Sequence, residues 1–265
     1  MGVFVHSVAT GEGEMGDTLS GFWGDVNDQV ARVCSQLRNM TELRGGYNAV
    51  GFSQGGQFLR AVAQRCQHTG PRMRTLVTLG AQHQGVMNVP GCRTLPLNSS
   101  HGACHLMQKL LGAGAYLPFV RDHVVQAQYF KDPARLAAYL EANPFLPDIN
   151  NERPGQRNAL YATNLGSLER LVLFRFTDDE TVVPRDSAWF SFFDGSSLVP
   201  LRQQPLYTED WIGLRSLDGA GRLVMDEVAG AHMQFSISWF RDNVVDRYLA
   251  PAKGEVAAKV EVARM

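Results

Sequence analysis

A serine flanked by glycines is the pattern in this chain that could carry covalent chemistry. It lies in the run Gly51-Phe52-Ser53-Gln54-Gly55. Tyr47–Phe52 has the apolar character of a short buried strand, and an apolar stripe typical of a helix follows it, made of Phe58, Leu59, Val62, Ala63 and Cys66. A Gly-x-Ser-x-Gly run at such a turn holds the serine hydroxyl clear of the backbone. The sequence therefore predicts that Ser53 is a nucleophile.

A serine hydroxyl attacks well only when a base takes its proton and an acid orients that base. In α/β-hydrolases the three residues follow in the order serine, acid, histidine. Asp178 and Asp179 directly follow the apolar run 171–176, so either can be the acid or an ordinary loop carboxylate. His232 follows the run 222–228 and is the favoured base, with His83 as its competitor. The other histidines fit less well: His6, His68, His101, His105 and His123.

Apolar runs typical of strands and helices alternate along the first part of the chain. Strands are predicted at 3–8, Tyr47–Phe52 and 75–80, and helices at 25–37 and after Ser53. Strands recur at 171–176 and 222–228, before a last helix at 233–249. This alternation predicts the α/β class, with a mostly parallel sheet and helices on both faces.

Residues from about 104 to 168 show helical patterns and no clear strand, which predicts an inserted helical cap. Such a cap could simply bury its own apolar residues against the sheet, or it could line an apolar substrate groove. We expect residues 1–249 to form one domain and residues 250–265 to be disordered.

Composition excludes several classes of function. The chain has 265 residues, with 25 basic and 26 acidic side chains and a net charge of −1, so nucleic acid is not an expected partner. No apolar run approaches the length that spans a bilayer. His101 and His105 lie near Cys104, but no second cysteine nearby completes a zinc pattern, and no metal site is predicted.

The amino terminus shows no signal peptide. Val3, Phe4 and Val5 follow Met1-Gly2 without the basic and apolar regions that such a peptide needs. The chain is therefore expected to begin inside a strand, as an incomplete gene model, an alternative start or a trimmed chain would.

The four cysteines are Cys34, Cys66, Cys92 and Cys104, and their spacing alone leaves buried thiols and disulfides equally open. Cys34 and Cys66 lie on apolar stripes of two helices that could be bridged on one sheet face. Cys92 and Cys104 bracket a loop that a bridge could close. The sequons at Asn39 and Asn98 also favour a lysosomal or secreted protein.

The run from Gly46 to Cys66 resembles the same region of the palmitoyl-protein thioesterases, lysosomal enzymes of the α/β-hydrolase superfamily. The resemblance extends over most of the chain from Val3 to about Tyr248. It includes Gln82-His83-Gln84-Gly85, Gly114-Ala115-Tyr116, Asp148-Ile149-Asn150, Asp186-Ser187-Ala188-Trp189-Phe190, Leu206-Tyr207-Thr208 and the segment around His232.

The resemblance implies a serine hydrolase that removes long-chain acyl groups from S-acylated proteins or peptides and fatty acyl thioesters, without a cofactor. It assigns the nucleophile to Ser53, the acid to Asp179 rather than Asp178, and the base to His232. It also implies disulfides between Cys34 and Cys66 and between Cys92 and Cys104. The N–H of Gln54 is the expected oxyanion donor. The expected acyl-groove residues are Gln82, Tyr129, Phe130, Thr181 and Val182.

The family's first strand and the loop with its second oxyanion donor would precede Met1. Loss of one oxyanion donor typically lowers turnover about a hundred- to a thousandfold, so the chain as written is expected to be weakly active or inactive. A lipase or esterase, and a silent module that binds acyl chains, remain alternatives. Asp178 also stands where the family leads us to expect an asparagine, which removes a sequon at the acid loop.

Overall fold

A parallel β-sheet forms the centre of the structure, a computed structural model that describes residues 3–87 and 114–250. Its four strands lie in the order β1-β2-β3-β6. They are β1 (Tyr47–Phe52), β2 (Met73–Leu79), β3 (Arg170–Phe176) and β6 (Leu223–Val228), and every neighbouring pair is parallel. The carboxyl ends of all four therefore meet at one edge of the sheet. Strands β4 (Phe192–Phe193) and β5 (Leu198–Val199) form a separate antiparallel pair.

Successive residues of the central strands point to opposite faces, and both faces are buried. Leu76 and Leu171 contribute to the larger apolar core, whereas their neighbours Val77 and Val172 contribute to a second one. The larger core includes residues of helices α2 and α3, and the second includes Val244 near the carboxyl end of the chain. The prediction of a mostly parallel sheet covered by helices on both faces is confirmed.

Three helices precede β2 in the described chain: α1 (Gly13–Ser20), α2 (Val26–Asn39) and α3 (Gln54–Cys66). Helix α2 begins where the Asp25 carboxylate accepts the Asn27 N–H at 2.7 Å. A disulfide joins Cys34 of α2 to Cys66 at the end of α3, with 5.8 Å between their Cα atoms, as expected. Helix α1 was not predicted.

The expected cap begins in residues that the structure does not describe, but its portion from 114 to 168 consists of helices and turns. Four helices lie there: α4 (Pro118–His123), α5 (Leu136–Ala142), α6 (Leu146–Ile149) and α7 (Ala159–Gly166).

Two more helices follow β3, namely α8 (Pro205–Thr208) and α9 (Leu214–Gly219). The last helix, α10 (Ile237–Phe240), continues as a π-helix over Arg241–Leu249. Short 3₁₀ turns occupy Thr41–Leu43, Val125–Tyr129, Pro133–Arg135, Arg185–Trp189 and Leu201–Gln203.

Two expectations about secondary structure were wrong. Residues 3–8 form no strand, because Val3, Phe4 and Val5 are 54%, 47% and 81% exposed and pair with no strand of the described sheet. The last helix begins at Ile237 rather than residue 233, because Met233 has a positive φ of 60° and the Ser236 hydroxyl caps the helix by accepting the Trp239 N–H. The expected disulfide between Cys92 and Cys104, the sequon at Asn98, His101, His105 and the tail from 251 lie outside the described residues.

Candidate functional site

Ser53 occupies the sharp turn between β1 and α3. Its φ of 48° lies in the region that side chains rarely adopt, and its N–H donates to the Leu79 carbonyl at 2.8 Å. The glycines permit the turn, because a Cβ at Gly51 would lie 2.5 Å from the Cα of Gly56. The turn holds the Ser53 side chain at the carboxyl edge of the sheet.

His232 and Asp179 reach Ser53 from the ends of two other strands. The His232 Nε2 atom lies 2.9 Å from Ser53 Oγ, and its Nδ1 atom lies 2.6 Å from Asp179 Oδ2. Asp179 follows β3 and His232 follows β6, so parallel pairing brings both loops to the edge that carries Ser53. The three side chains form one continuous chain of hydrogen bonds.

The structure distinguishes between Asp178 and Asp179, the two candidate acids that chain order alone did not separate. Asp179 Oδ1 accepts the N–H groups of Thr181 and Val182, both at 2.9 Å, while Oδ2 faces His232. Only 1% of its side chain is exposed. The Asp178 side chain is exposed and accepts from the Thr177 hydroxyl at 3.3 Å. Asp179 is thus the carboxylate beside the imidazole.

The competing histidine is fully buried away from Ser53. The Nε2 of His83 lies 3.1 Å from the Thr78 hydroxyl, and its ring stacks on Phe190 at a centroid distance of 4.5 Å. Burial, together with the nearby charge of Arg60, holds the pKa of His83 well below its usual value. His6, His68 and His123 are exposed.

The five expected groove residues occupy different positions around the site. Gln82 donates from Nε2 to Ser53 Oγ at 3.1 Å, and the Tyr129 hydroxyl donates to Gln54 Oε1 at 3.2 Å. Thr181 and Val182 hold Asp179 through their backbones, and Phe130 is buried beside Tyr116. Gln54 is the first residue of α3, so its N–H is one of the four that a helix leaves without an intrahelical acceptor.

Sequence reasoning missed Gly80. This residue directly follows β2 with a φ of 62°, and the His232 ring lies directly against it. A Cβ there would lie 3.0 Å from His232 Cε1 and 3.1 Å from Phe176 Cδ2. The signal in the sequence was a glycine directly after an apolar strand, a position where backbone and side chain often approach closely.

Within the described ranges 3–87 and 114–250, no group of three or more His, Cys, Asp or Glu side chains could hold a metal ion. None of the helices in those ranges is both long enough and apolar enough to cross a membrane.

Comparison with known proteins identifies the family. A family model described as palmitoyl protein thioesterase matches residues 1–232. The chain belongs to the palmitoyl-protein thioesterase family. It is 43% identical to palmitoyl-protein thioesterase 1 of Caenorhabditis elegans over 250 residues, which cover 93% of this chain and 81% of that relative.

Two further relatives of this thioesterase family are similar over much of their length. The chain is 31% identical to palmitoyl-protein thioesterase 3 of Dictyostelium discoideum over 252 residues, covering 94% of this chain and 78% of the relative. It is 37% identical to a lysosomal thioesterase of Xenopus laevis over 222 residues, covering 80% and 70% respectively.

Proposed function

We propose that the protein hydrolyses thioesters between long-chain fatty acids and cysteine side chains of proteins, through an acyl-enzyme on Ser53. Family membership supports the thioester substrate, and the names of the relatives support palmitate as the acyl group. The observation that carries the mechanism is the hydrogen-bonded chain from Asp179 through His232 to Ser53.

In the first step, His232 Nε2 takes the proton of Ser53 while Oγ attacks the thioester carbonyl carbon. The N–H of Gln54 donates to the oxyanion that forms. Asp179 accepts from Nδ1–H, which leaves Nε2 free as the proton acceptor and stabilises the imidazolium. Because two backbone N–H groups hold the other carboxylate oxygen, Asp179 is fixed in this role.

Collapse of the tetrahedral intermediate breaks the carbon–sulfur bond and releases the cysteine, which takes the proton from His232. Water then gives a proton to His232 and attacks the acyl-serine, and Ser53 leaves with that proton. The products are a fatty acid and a free cysteine side chain, and Ser53 is regenerated.

Three further proposals complete this account. Gln82, Tyr129, Phe130, Thr181 and Val182 contribute to an acyl groove beside Ser53. The protein acts in the lysosome or after secretion, which the disulfide, the exposed sequon residue Asn39 and a relative named as lysosomal support. Residues 1–249 form one domain with an inserted cap.

The test compares an S-palmitoyl cysteine peptide with the same peptide carrying an O-palmitoyl serine. The account predicts faster hydrolysis of the thioester, which Ser53→Ala abolishes. Asp179→Asn should lower kcat by about a thousandfold or more, because its amide favours the wrong histidine tautomer. Asp178→Asn is the matched control and should lower it less than about twofold.

Faster hydrolysis of the oxygen ester would instead identify a lipase or esterase on the same fold. Equal loss of activity in Asp178→Asn and Asp179→Asn would contradict the assigned acid. Thioester hydrolysis that persists in Ser53→Ala would contradict the nucleophile.

A further inference from the structure

Four phenylalanine rings pack together behind the candidate site. One of them, Phe240, belongs to α10 and lies 5.8 Å from Phe52 and 5.7 Å from Phe235. The other three come one from each chain segment that supplies a site residue. Phe52 directly precedes Ser53, Phe176 is the last residue of β3 and lies three residues before Asp179, and Phe235 follows His232 by three residues. We call these three rings the aromatic bridge.

Phe235 is the central ring of the aromatic bridge. Its centroid lies 6.1 Å from that of Phe52, with planes 11° apart, and 6.3 Å from that of Phe176, with planes 21° apart. Both pairs have the offset stacked geometry that aromatic side chains favour. Phe176 in turn presents its ring at 63° to the His232 imidazole, at 6.0 Å. The bridge therefore connects the three segments on the sheet face opposite to α2 and α3.

The loop that carries His232 is irregular and is held by contacts at both ends and by two hydrogen bonds between Ala231 and Gln234. At its start, the Asp178 N–H donates to the Gly230 carbonyl at 3.0 Å, and the Gly230 N–H donates to the Thr177 hydroxyl at 3.1 Å. Gly230 and Met233 both have positive φ angles, of 119° and 60°. At its end, the ring of Phe235 is the side chain that reaches both β1 and β3.

We propose that Phe235 is a positioning residue, which sets the distance between His232 Nε2 and Ser53 Oγ by docking the histidine loop on Phe52 and Phe176. The proposal rests on the proposed function, because it assigns Phe235 a role in that reaction. Displacement of a reacting group by about 1 Å can lower a rate about a hundredfold, so loss of this contact should lower turnover.

A purely structural role would make Phe235 one apolar residue among several in the second core. Val244 is the matched control. It lies on the π-helix, is fully buried in the same core, and is not one of the candidate site residues. Truncation of either side chain removes packing from the same core. Only truncation of Phe235 should change the chemistry.

The experiment compares Phe235→Ala, Phe235→Tyr and Val244→Ala, each well below its own unfolding temperature. One readout is kcat and KM for an S-palmitoyl cysteine peptide. The other is the rate at which a long-chain alkyl fluorophosphonate modifies Ser53. In that reaction Ser53 Oγ forms a bond to phosphorus, fluoride leaves, and the serine proton goes to His232. The rate therefore reports on the contact between Ser53 and His232 without any thioester.

We expect Phe235→Ala to lower both kcat and the phosphonylation rate about tenfold or more, with KM changed less than about twofold. Phe235→Tyr should restore both rates and Val244→Ala should leave them unchanged. If Phe235→Ala reacts within about twofold of Val244→Ala, the inference is overturned. If the wild-type protein reacts with the fluorophosphonate but not with the thioester, the proposed function fails and the inference about Phe235 is still decided.

Discussion

At the scale of single residues, the His232 ring is confined on three sides. Asp179 Oδ2 lies 2.6 Å from Nδ1, Ser53 Oγ lies 2.9 Å from Nε2, and Gly80 lies so close that a Cβ there would be 3.0 Å from Cε1. Hydrogen bonds weaken quickly as distance and angle change. Small displacements of this ring should therefore weaken both contacts together.

Replacement of Gly80 by alanine tests this confinement. Its new Cβ would lie 3.0 Å from His232 Cε1, so the ring must shift by a few tenths of an ångström from its place between Asp179 and Ser53. We expect kcat for thioester hydrolysis to fall about tenfold or more.

Gly221→Ala is the matched control, because Gly221 has a similar φ of 67° and nothing within 4 Å of a Cβ. It should cost about 1 kcal/mol of stability and leave kcat unchanged. If both variants lose activity equally, backbone strain rather than the collision with His232 is responsible.

Buried His83 should make the free energy of unfolding fall as pH falls. Its folded-state pKa is held well below 6.5, first by burial and then by Arg60, so below about pH 6.5 only the unfolded chain takes up this proton. The contribution of neutral His83 to the free energy of unfolding is fully present above pH 6.5 and is lost as pH falls towards the folded-state pKa. The free energy of unfolding should fall by up to about 1.4 kcal/mol per pH unit in this range.

Denaturant unfolding of wild type and His83→Gln at about pH 7 and about pH 5 measures this effect. All other groups titrate in both proteins, so the difference between the two losses belongs to His83. Wild type should lose more stability than the variant over this interval, by at most about 2 kcal/mol. Equal losses would show that His83 takes up a proton in the folded protein.

At the scale of elements, the disulfide ties α2 to the end of α3 on one sheet face. Cys34 and Cys66 are 32 residues apart in sequence, and Cys66 ends the helix whose other end follows Ser53. Since each helical residue rises 1.5 Å, the bridge lies about 18 Å along α3 from the nucleophile. It should therefore act on stability and not on chemistry.

The double variant Cys34→Ala with Cys66→Ala tests this separation. Closing a loop of this length stabilises a protein by about 4 kcal/mol in the chain-entropy account. We expect a loss of about 3 to 4 kcal/mol by denaturant unfolding, with kcat unchanged below the unfolding transition. A large fall in kcat in the folded variant would show that the bridge orients the turn at Ser53.

At the scale of the whole molecule, buried Arg60 of α3 links the loop after β2 to the end of α6. It donates to Asn150 Oδ1 at 2.8 Å, to the Ile149 carbonyl at 3.1 Å and to the His83 carbonyl at 3.2 Å. Asn150 donates in turn to Glu152, which pairs with buried Lys131 at 2.8 Å. Burial lowers the pKa of Arg60 to about 9, although Glu152 acts in the opposite direction. Arg60 therefore stays charged at neutral pH.

Arg60→Met keeps an apolar stem but leaves these buried acceptors without their donor. We expect it to lower the free energy of unfolding by about 2 to 4 kcal/mol. Arg32→Met, on the exposed side of α2, should change it by less than about 0.5 kcal/mol. Equal effects of the two substitutions would contradict a structural role for the buried network.

The sequence predicted the strands and helices whose apolar residues repeat with a clear period. The four sheet strands, α2 and α3 lie within a few residues of expectation, because each carries a clear apolar run or stripe in the sequence. Residues 3–8 show the same apolar pattern but pair with no strand of the described sheet, a tertiary property that local pattern does not contain. Helix α1 was missed because its polar and glycine residues give no apolar stripe.

The candidate site was predictable as a set of residue types, and less so as a geometry. Motif and chain order indicated Ser53 and His232, but they left Asp178 and Asp179 open. That distinction depends on which carboxylate the N–H groups of Thr181 and Val182 hold. Gly80 and Phe235 act through close approach in space, which sequence spacing does not encode.

The most direct test of the account is single-turnover mass spectrometry of the protein mixed with a palmitoyl thioester, with Ser53→Ala alongside. The account predicts a transient increase in mass of one palmitoyl group, located on the peptide that contains Ser53 and absent from the variant. Thioester hydrolysis without acylation of Ser53, or acylation that persists in Ser53→Ala, would contradict it.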